Sequence, residues 1–367
     1  MTQPTATSVK KRSFGWKELL ISLFLVITLW AGVDLLGFGG SSKPVEISTG
    51  ANIQVFFTTP RYPDRPTDRR GGIDERLAAA IDAARTSVDV AAFELNLESV
   101  TEALVRAHQR GVRVRLVTDS DYANAFGPTR LLQVQAPVVF DSAQPFMHNK
   151  FVVIDGTQVW TGSWNLTTNG TYRNSNNIVV ADSKLLAENY TVEFEEMFLH
   201  RKFGSTSPDN TPYPQIEIAG VQVENIFESE GDARSRMIQL IKGAKSSLDV
   251  LAFVVTDDDV ASAIIARHRA GIPVRMVIET RNLDTPGSDF ALFQQAGIDI
   301  LPDGNPYMMH HKVIIIDQAI VVTGSYNFSR NASDYNDENV LILHSADIAR
   351  QYLEEFERVY AQAKAAQ

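Results

Sequence analysis

One arrangement of histidine, lysine, aspartate, serine and asparagine occurs twice in the 367-residue chain. Each copy reads H-x-K-x-x-x-x-D and is followed by T-G-S-x-N. Equivalent residues keep an offset of 162 positions (310 − 148): His148 and His310, Lys150 and Lys312, Asp155 and Asp317, Ser163 and Ser325, Asn165 and Asn327. Two extended matches at identical spacing are difficult to obtain by chance, so we interpret them as one duplicated functional unit.

These residue types suit chemistry on a phosphate diester. Histidine can act as nucleophile, acid or base near neutral pH, and lysine supplies a compact cation. Residues i and i+2 of a strand face the same side, so each histidine is expected beside its lysine. One imidazole can attack phosphorus while the other protonates the leaving alcohol, with the remaining groups stabilising the phosphoryl oxygens. This chemistry requires no metal, and a sequence without cysteine or H-E-x-x-H predicts no metal or other cofactor.

The duplicated pattern resembles the paired HKD motifs of the phospholipase D superfamily, over nearly the whole chain after residue 50. The resemblance implies two α/β repeats, each a mixed β-sheet flanked by helices, related by a pseudo-twofold axis with the active site at their interface. It implies a covalent phosphohistidine that water or another alcohol resolves. The catalytic positions that it implies are His148, Lys150, Asp155, His310, Lys312 and Asp317, with Ser163, Asn165, Ser325 and Asn327 as phosphate-binding or supporting groups. The two aspartates are expected past the strand ends, in a structural role.

The family also tends to carry a downstream carboxylate that orients the histidine. In the second half Glu338 stands in that place, 28 residues after His310, and the same offset in the first half gives Asn176. A carboxylate neighbour favours the imidazolium form, whereas an amide does not. We therefore hypothesise that Glu338 makes His310 the protonated acid and that His148 is the neutral nucleophile.

Strand and helix patterns recur around both motifs. The apolar runs 151–154 and 313–316 predict strands buried on both faces. The stretch 84–93 matches 244–253 in the second half, and alternating strand and helix patterns predict an α/β architecture. The predicted organisation is repeat 1 over 53–203, a linker over 204–216 and repeat 2 over 217–367.

The N-terminal sequence predicts membrane attachment. Residues 1–18 carry four basic side chains and precede an apolar run over 19–38, about the length that spans a bilayer. We expect an uncleaved signal anchor at 19–38, with a cleaved signal peptide as the alternative, and a linker over 39–52. The basic flank places 1–18 in the cytoplasm, so the catalytic body is expected outside it, membrane-anchored or secreted.

Composition narrows the substrate class. The formal charge is −10, and without residues 1–38 the chain holds 30 basic residues (34 − 4) and 42 acidic residues (44 − 2), or −12. An acidic body disfavours broad nucleic-acid binding. Together with the predicted anchor, this favours a membrane phospholipid as substrate, hydrolysed to phosphatidic acid and headgroup alcohol.

Three alternatives to this function stay open. An endonuclease acting on nucleic acid and a phosphatidyltransferase resembling cardiolipin synthase would use the same residues, and an inactive membrane-tethered binding module is the third. Both motifs lie in one chain, which indicates a monomer with no obligate protein partner.

Two predictions concern the surroundings of the site. The loop 58–72 holds four arginines, at 61, 65, 69 and 70, that suit a phosphate or headgroup. Because Asp64 and Asp68 partly cancel this charge, a solvated surface loop is the favoured interpretation. Five residues before the histidines are expected to line the cleft: Phe146, Met147, Tyr307, Met308 and Met309.

Overall fold

The computed structural model describes residues 52–141, 146–228 and 231–367. The predicted N-terminus (1–18), signal anchor (19–38) and all but the last residue of the linker (39–52) lie outside the described residues. Among the described residues, no helix has the length and apolar character needed to span a membrane. Membrane attachment and localisation stay predictions.

The first repeat forms a mixed seven-stranded sheet in the order β1-β8-β6-β5-β2-β3-β4. Strand β2 runs parallel to β3 and antiparallel to β5. Its strands are β1 Ile53–Phe57, β2 Ser87–Ala92, β3 Arg113–Thr118, β4 Val138–Phe140, β5 Lys150–Ile154, β6 Gln158–Gly162, β7 Asn174–Ser175 (outside this sheet) and β8 Asn177–Asp182. Its helices are α1 Ile73–Ala83, α2 Glu98–Gln109, α3 Phe126–Gln133, α4 Thr168–Tyr172 and α5 Lys184–His200.

The second repeat has the same strand order with one strand added at the edge, β13-β12-β11-β15-β16-β17-β10-β9. Its strands are β9 Gln215–Ile218, β10 Val221–Phe227, β11 Leu248–Ala252, β12 Val274–Ile278, β13 Asp299–Pro302, β14 Met308–Met309 (outside this sheet), β15 Lys312–Ile316, β16 Ile320–Gly324 and β17 Asn339–His344. Its helices are α6 Ala233–Gly243, α7 Asp258–Arg269, α8 Phe290–Gln295, α9 Arg330–Asp334 and α10 Ala346–Ala365. The predicted pair of similar α/β repeats is therefore confirmed.

Both faces of each sheet are buried, because successive side chains of a strand point to opposite faces. In β5, Val152 and Ile154 pack into an outer core with α1 and α2. Phe151 and Val153 pack into a second core that contains residues of α5, α10 and both sheets. The two repeats therefore share one hydrophobic core, and the motif strands lie directly against it.

Short backbone pairings join the repeats close to the motifs. Strand β14 pairs in parallel with β7, with Met308 opposite Asn174 and Met309 opposite Ser175. An equivalent parallel bridge joins Met147 to Asp337. Each histidine motif is thus hydrogen-bonded to the chain of the other repeat, and the predicted pseudo-twofold interface is confirmed.

Candidate active site

The motif strands position the lysines and histidines. Lys150 is the first residue of β5 and Lys312 the first residue of β15. Buried carboxylates hold the residue that precedes each histidine: Asp119 accepts from the Met147 backbone N–H (3.2 Å), and Glu279 accepts from that of Met309 (2.6 Å). The approach of each histidine to the cleft is therefore fixed within its own repeat.

The partner of each histidine comes from the other repeat. Both oxygens of Glu338 lie against Nδ1 of His148, at 2.7 and 2.8 Å. Nδ1 of His310 lies 3.0 Å from Oδ1 of Asn176 and 3.0 Å from the Ser163 carbonyl oxygen. The hypothesis that Glu338 orients His310 is therefore wrong, because the carboxylate of the second repeat contacts the histidine of the first.

Backbone pairing explains this exchange. The His148 N–H donates to the Asp337 carbonyl (3.0 Å), immediately before Glu338. The His310 N–H donates to the Ser175 carbonyl (2.9 Å), immediately before Asn176. Sequence spacing inside one repeat cannot show a contact that a strand of the other repeat creates.

The hydrogen bonds define the tautomer of each ring. A carboxylate accepts only, so Nδ1 of His148 carries the proton and donates to Glu338. The Asn176 amide donates from Nδ2 to the Gly170 carbonyl (2.9 Å), which turns its oxygen towards His310. Nδ1 of His310 is consequently also a donor, and in both neutral rings Nε2 holds the free electron pair.

Burial and crowding of cations control the charge of the site. Burial lowers the pKa of His148 to about 4, although the charge of Glu338 acts in the opposite direction. Burial and the charges of Lys312 and Lys150 hold the pKa of His310 well below its usual value. Each lysine affects the histidine of the other repeat, so all four side chains belong to one site.

The two lysines are buried and share a common environment. Nζ of Lys150 donates to the His148 carbonyl (2.7 Å), and Nζ of Lys312 donates to that of His310 (3.0 Å). Burial lowers the pKa of Lys150 to about 7, against the charges of Glu338 and Asp119. Burial and the charge of Lys150 lower the pKa of Lys312 well below its usual value.

Two phenylalanines complete the site, and sequence reasoning missed them. The Phe93 ring meets His148 edge-on with centroids 4.9 Å apart, and Phe253 meets His310 at the same distance. Nζ of Lys150 lies 5.2 Å from the Phe93 centroid, and Nζ of Lys312 lies 4.9 Å from that of Phe253. Both residues end the matched stretches 84–93 and 244–253, which was the available signal.

The serines of T-G-S-x-N support the histidine partners. The Ser325 hydroxyl donates to Glu338 (2.5 Å), and the Ser163 hydroxyl donates to Oδ1 of Asn176 (2.9 Å). The preceding glycines allow this turn: a Cβ on Gly162 would lie 2.2 Å from the Asn177 carbonyl oxygen. The two serines thus orient Glu338 and Asn176, the side chains that accept hydrogen bonds from the imidazoles.

The asparagines of the same motif each have a buried side-chain oxygen without a hydrogen-bond partner. Oδ1 of Asn165 and Oδ1 of Asn327 are buried and make no hydrogen bond within the described parts of the chain. Within those same ranges, no group of three or more histidine, aspartate or glutamate side chains is arranged to hold a metal ion.

The motif aspartates lie at the far end of the strands. Asp155 follows β5 and accepts from the backbone N–H groups of Arg85, Thr86 and Ser87, at 2.7–3.1 Å. Asp317 makes the same contacts with residues 245–247. Asp155 is five positions after Lys150 along the extended chain, so their backbones are roughly 16 Å apart. Grouping the aspartates with the catalytic residues was therefore wrong, and their expected structural role agrees with these contacts.

The predicted cleft wall is correct only in part. Met147 and Met309 are completely buried in the core that the repeats share, so they do not line the cleft. Phe146 is 40% exposed and contacts Phe93, with centroids 5.6 Å apart. An exposed aromatic ring therefore lies one side chain away from His148.

Comparisons with known proteins agree with this architecture. A family model described as "Cardiolipin synthase, PLD-like domain" matches residues 77–198 and 237–360. The human mitochondrial cardiolipin hydrolase is 36% identical over 130 residues, 35% of this chain and 52% of that protein, so the chain spans about half of that relative. A Rickettsia prowazekii phospholipase D is 30% identical over 164 residues, 45% of this chain and 80% of that protein.

The phosphatidylserine synthase structure from Haemophilus influenzae covers 84% of this chain and 86% of its own, with TM-score 0.62 and 12% identity. At that identity the likeness shows the fold alone. Fold and site together define a duplicated enzyme with paired histidine and lysine motifs. The chain belongs to the phospholipase D superfamily of phosphodiesterases, and its two domain matches lie one in each repeat.

Proposed function

We propose that this protein hydrolyses a phospholipid to phosphatidic acid and a free headgroup alcohol, through a covalent phosphohistidine. One observation carries the proposal: two buried imidazoles beside two buried lysines have Nδ1 anchored across the repeat interface, and within the described residues their Nε2 atoms make no hydrogen bond. This arrangement supplies a nucleophile, an acid and cations around one phosphorus atom.

In the first step, Nε2 of His148 attacks phosphorus and the bond from phosphorus to the headgroup oxygen breaks. The attack leaves a cationic imidazole that retains its Nδ1 proton. The Glu338 carboxylate lies 2.7 Å from that atom, so it stabilises the charge that develops. His310 has only neutral acceptors at Nδ1, and its imidazolium therefore gives up the Nε2 proton readily to the leaving alcohol.

In the second step, water attacks the same phosphorus and the bond from phosphorus to Nε2 breaks. The proton of the water goes to Nε2 of His310, which restores the acid, and phosphatidic acid leaves. Lys150, Lys312 and the amides of Asn165 and Asn327 are assigned to the phosphoryl oxygens. An anionic diester in the site favours the protonated form of both lysines and of His310.

The choice of His148 as nucleophile agrees with the sequence-based hypothesis but has a different physical basis. That hypothesis placed Glu338 beside His310, where it would stabilise an acid. Beside His148, the carboxylate stabilises the phosphohistidine instead. Because phosphohistidine hydrolyses in acid, the assignment is tested by denaturing the enzyme at alkaline pH during turnover of a phosphorus-labelled substrate and mapping the label. Label on His310 would reverse the assignment.

A lipid substrate is supported by two exposed aromatic side chains and by the relatives. Phe146 and Tyr335 are 40% and 56% exposed. The two residues lie in neighbouring segments, because the Phe146 carbonyl accepts from the N–H of Asp337 (3.0 Å), two residues after Tyr335. Exposed aromatic rings suit the interface between a membrane and water. The names of two relatives, mitochondrial cardiolipin hydrolase and phospholipase D, indicate the same substrate class.

The function can be tested with the full chain and three histidine variants in EDTA. Vesicles of phosphatidylcholine or cardiolipin and, separately, single-stranded DNA serve as substrates. We expect phosphatidic acid or headgroup release that His148→Ala and His310→Ala abolish, while His200→Ala, an exposed histidine at the end of α5, retains it. Cleavage of DNA alone would indicate the endonuclease, and product only with an added alcohol would indicate the transferase.

The N-terminal segment remains part of the proposal. A signal anchor over 19–38 would hold the catalytic body next to its lipid substrate, outside the cytoplasm. Protease protection of the full chain in membrane vesicles distinguishes this orientation from a released, secreted protein.

A further inference from the structure

The two repeats differ most clearly in the loop between their first strand and first helix. In repeat 1 the loop runs from 58 to 72, between β1 and α1, and in repeat 2 the equivalent loop runs only from 228 to 232. Repeat 1 therefore has ten additional residues (15 − 5) at this position. The longer loop, which we call the arginine loop, contains Arg61, Arg65, Arg69 and Arg70.

The arginine loop is fixed against the candidate active site. Asp64 accepts from Nε of Arg69 (3.0 Å) and from Nε of Arg173 (2.8 Å). The Asp64 backbone N–H donates to the Tyr307 hydroxyl (2.7 Å), and the Arg173 guanidinium lies 5.3 Å from the centroid of that ring. Arg173 lies three residues before Asn176, the partner of His310, and Tyr307 lies three residues before His310 itself. The loop is therefore held by both segments that build the His310 half of the site.

These contacts leave three arginines unneutralised. Asp64 is shared by Arg69 and Arg173, both at ion-pair distance. Arg61, Arg65 and Arg70 form no ion pair within the described residues, and all three are exposed. Together with Arg69 they line a cavity of about 130 Å³, in which Asp64 and Asp68 offset part of the four positive charges. The loop thus concentrates positive charge in a protein whose net charge is −10.

The base of this cavity touches the active site through one residue. Thr58 lines the cavity, and its hydroxyl accepts from the Asn176 N–H (2.7 Å) and donates to the Asn174 carbonyl (2.6 Å). Asn176 in turn contacts Nδ1 of His310. An anion in the cavity would therefore lie behind the His310 partner, close to the reacting phosphate but separate from it.

The second repeat cannot offer the same site. The Thr58 N–H donates to the Asn176 carbonyl (3.0 Å), and in repeat 2 the Glu228 N–H donates to the Glu338 carbonyl (2.9 Å). Glu228 is therefore the equivalent of Thr58. Burial raises the pKa of Glu228 to about 8, so this side chain brings no positive charge that would attract an anion. In the described parts of the two repeats, the positive cavity therefore lies on one side of the pseudo-twofold axis, and it gives a substrate one preferred direction.

We propose that the arginine loop binds a second phosphate group of the substrate, one that is not cleaved. The inference rests on the proposed lipid hydrolysis and makes a phospholipid with two phosphates the preferred substrate. Guanidinium groups suit this task because they bind phosphate oxygens in pairs and stay charged. The acidic body of the protein then disfavours anionic polymers, while the loop selects a compact substrate with two anionic groups.

The experiment compares two lipids that differ in phosphate number. Full-length protein is assayed on phosphatidylcholine vesicles that contain either cardiolipin, with two phosphates, or phosphatidylglycerol, with one. The test variant is Arg61→Gln/Arg65→Gln/Arg70→Gln, which removes three exposed side chains and leaves the pair of Arg69 with Asp64 intact. The control Arg85→Gln/Arg269→Gln/Arg350→Gln removes the same charge at three exposed positions outside the loop.

We expect the loop variant to lose kcat/KM on cardiolipin by about tenfold or more, with less than about twofold change on phosphatidylglycerol. The charge control should retain both activities. An equal loss on the two lipids, or the same loss in the control, would overturn the proposal and indicate a general effect of surface charge.

A binding measurement separates this proposal from the proposed function. Titration with inorganic phosphate should give two sites per chain in the wild type and one in the loop variant, whichever substrate is cleaved. One site in both proteins would refute the second phosphate site even if lipid hydrolysis is established. Two sites in the wild type without lipid hydrolysis would retain the site and reject the lipid substrate.

Discussion

Glu338 of the second repeat holds Nδ1 of His148 of the first through both carboxylate oxygens, at 2.7 and 2.8 Å. The equivalent contact at His310 is made by the neutral amide of Asn176, at 3.0 Å. The pseudo-twofold axis therefore relates two imidazoles in similar positions whose partners differ by one negative charge. This difference assigns distinct chemistry to residues that are the same in sequence.

The first prediction concerns Glu338→Gln, which keeps the shape of the partner and removes its charge. We expect kcat to fall by about 10²–10⁴-fold, because the cationic phosphohistidine loses its counter-charge and the tautomer of His148 is no longer enforced. KM should change little, since Glu338 contacts the imidazole and is not assigned to the substrate. Steady-state kinetics on a soluble diester measures both parameters.

Asn176→Asp is the matched control for this substitution. It adds a carboxylate at His310 and should raise the pKa of that histidine, which moves the alkaline limb of the pH profile upward. A loss of kcat as large as that of Glu338→Gln would contradict the assignment of the two histidines.

The second prediction is the pH dependence of kcat/KM, which reports the free enzyme. His148 must be neutral to attack, and with a pKa of about 4 it is inactivated only at more acidic pH. Lys150 must be charged to bind phosphate, and with a pKa of about 7 it loses its proton above neutrality. His310 must carry a proton to act as the acid, and burial and the charges of Lys312 and Lys150 hold its pKa well below the usual value, so it also contributes to the alkaline limb. We therefore expect kcat/KM to be highest on the acidic side of pH 7. Constant kcat/KM from pH 6 to 9 would show that the free enzyme keeps both Lys150 and His310 protonated.

Much of the fold and the motif residues could be predicted from the sequence, because duplication presents the same pattern twice. The buried strands follow from runs such as 313–316, where apolar side chains serve both faces. The crossing of Glu338 to His148 could not be predicted, since it depends on the backbone bridge between Met147 and Asp337, which joins the two repeats. Phe93 was missed for a related reason: its sequence position at a strand end does not show which ring it meets.

The third prediction concerns stability at the buried lysine. Lys150→Met should abolish hydrolysis and raise the free energy of unfolding at pH 6 by about 1–4 kcal/mol, since an apolar side chain replaces a buried cation. Thermal unfolding and residual activity are measured on the same preparation. An active variant would remove Lys150 from the site, and a destabilised one would show that its bond to the His148 carbonyl outweighs the cost of burial.

The stabilisation by Lys150→Met should itself depend on pH. Burial lowers the pKa of Lys150 in the folded protein to about 7, below the ordinary value of 10.5, so the unfolded chain binds more protons between these values. Wild-type stability consequently rises relative to the variant as the pH increases from 7 to 10.5. Unfolding at pH 6, 8 and 10 should show the difference becoming smaller, and a difference that grows would contradict the lowered pKa.

The last prediction separates the motif aspartates from catalysis. Asp155→Asn keeps the size of the side chain but removes the charge that accepts from the N–H groups of residues 85–87. We expect a loss of about 1–3 kcal/mol of unfolding free energy with kcat nearly unchanged, because the group lies at the far end of β5. Burial alone would raise the pKa of Asp155, but these N–H groups outweigh it and lower the pKa below the ordinary value of 3.8. The stabilisation is therefore present above pH 3.8 and disappears as the pH falls through the lower, folded value. Asp317→Asn should have the same effects. If either variant lost as much kcat as Lys150→Met, the aspartates would have to be regarded as catalytic.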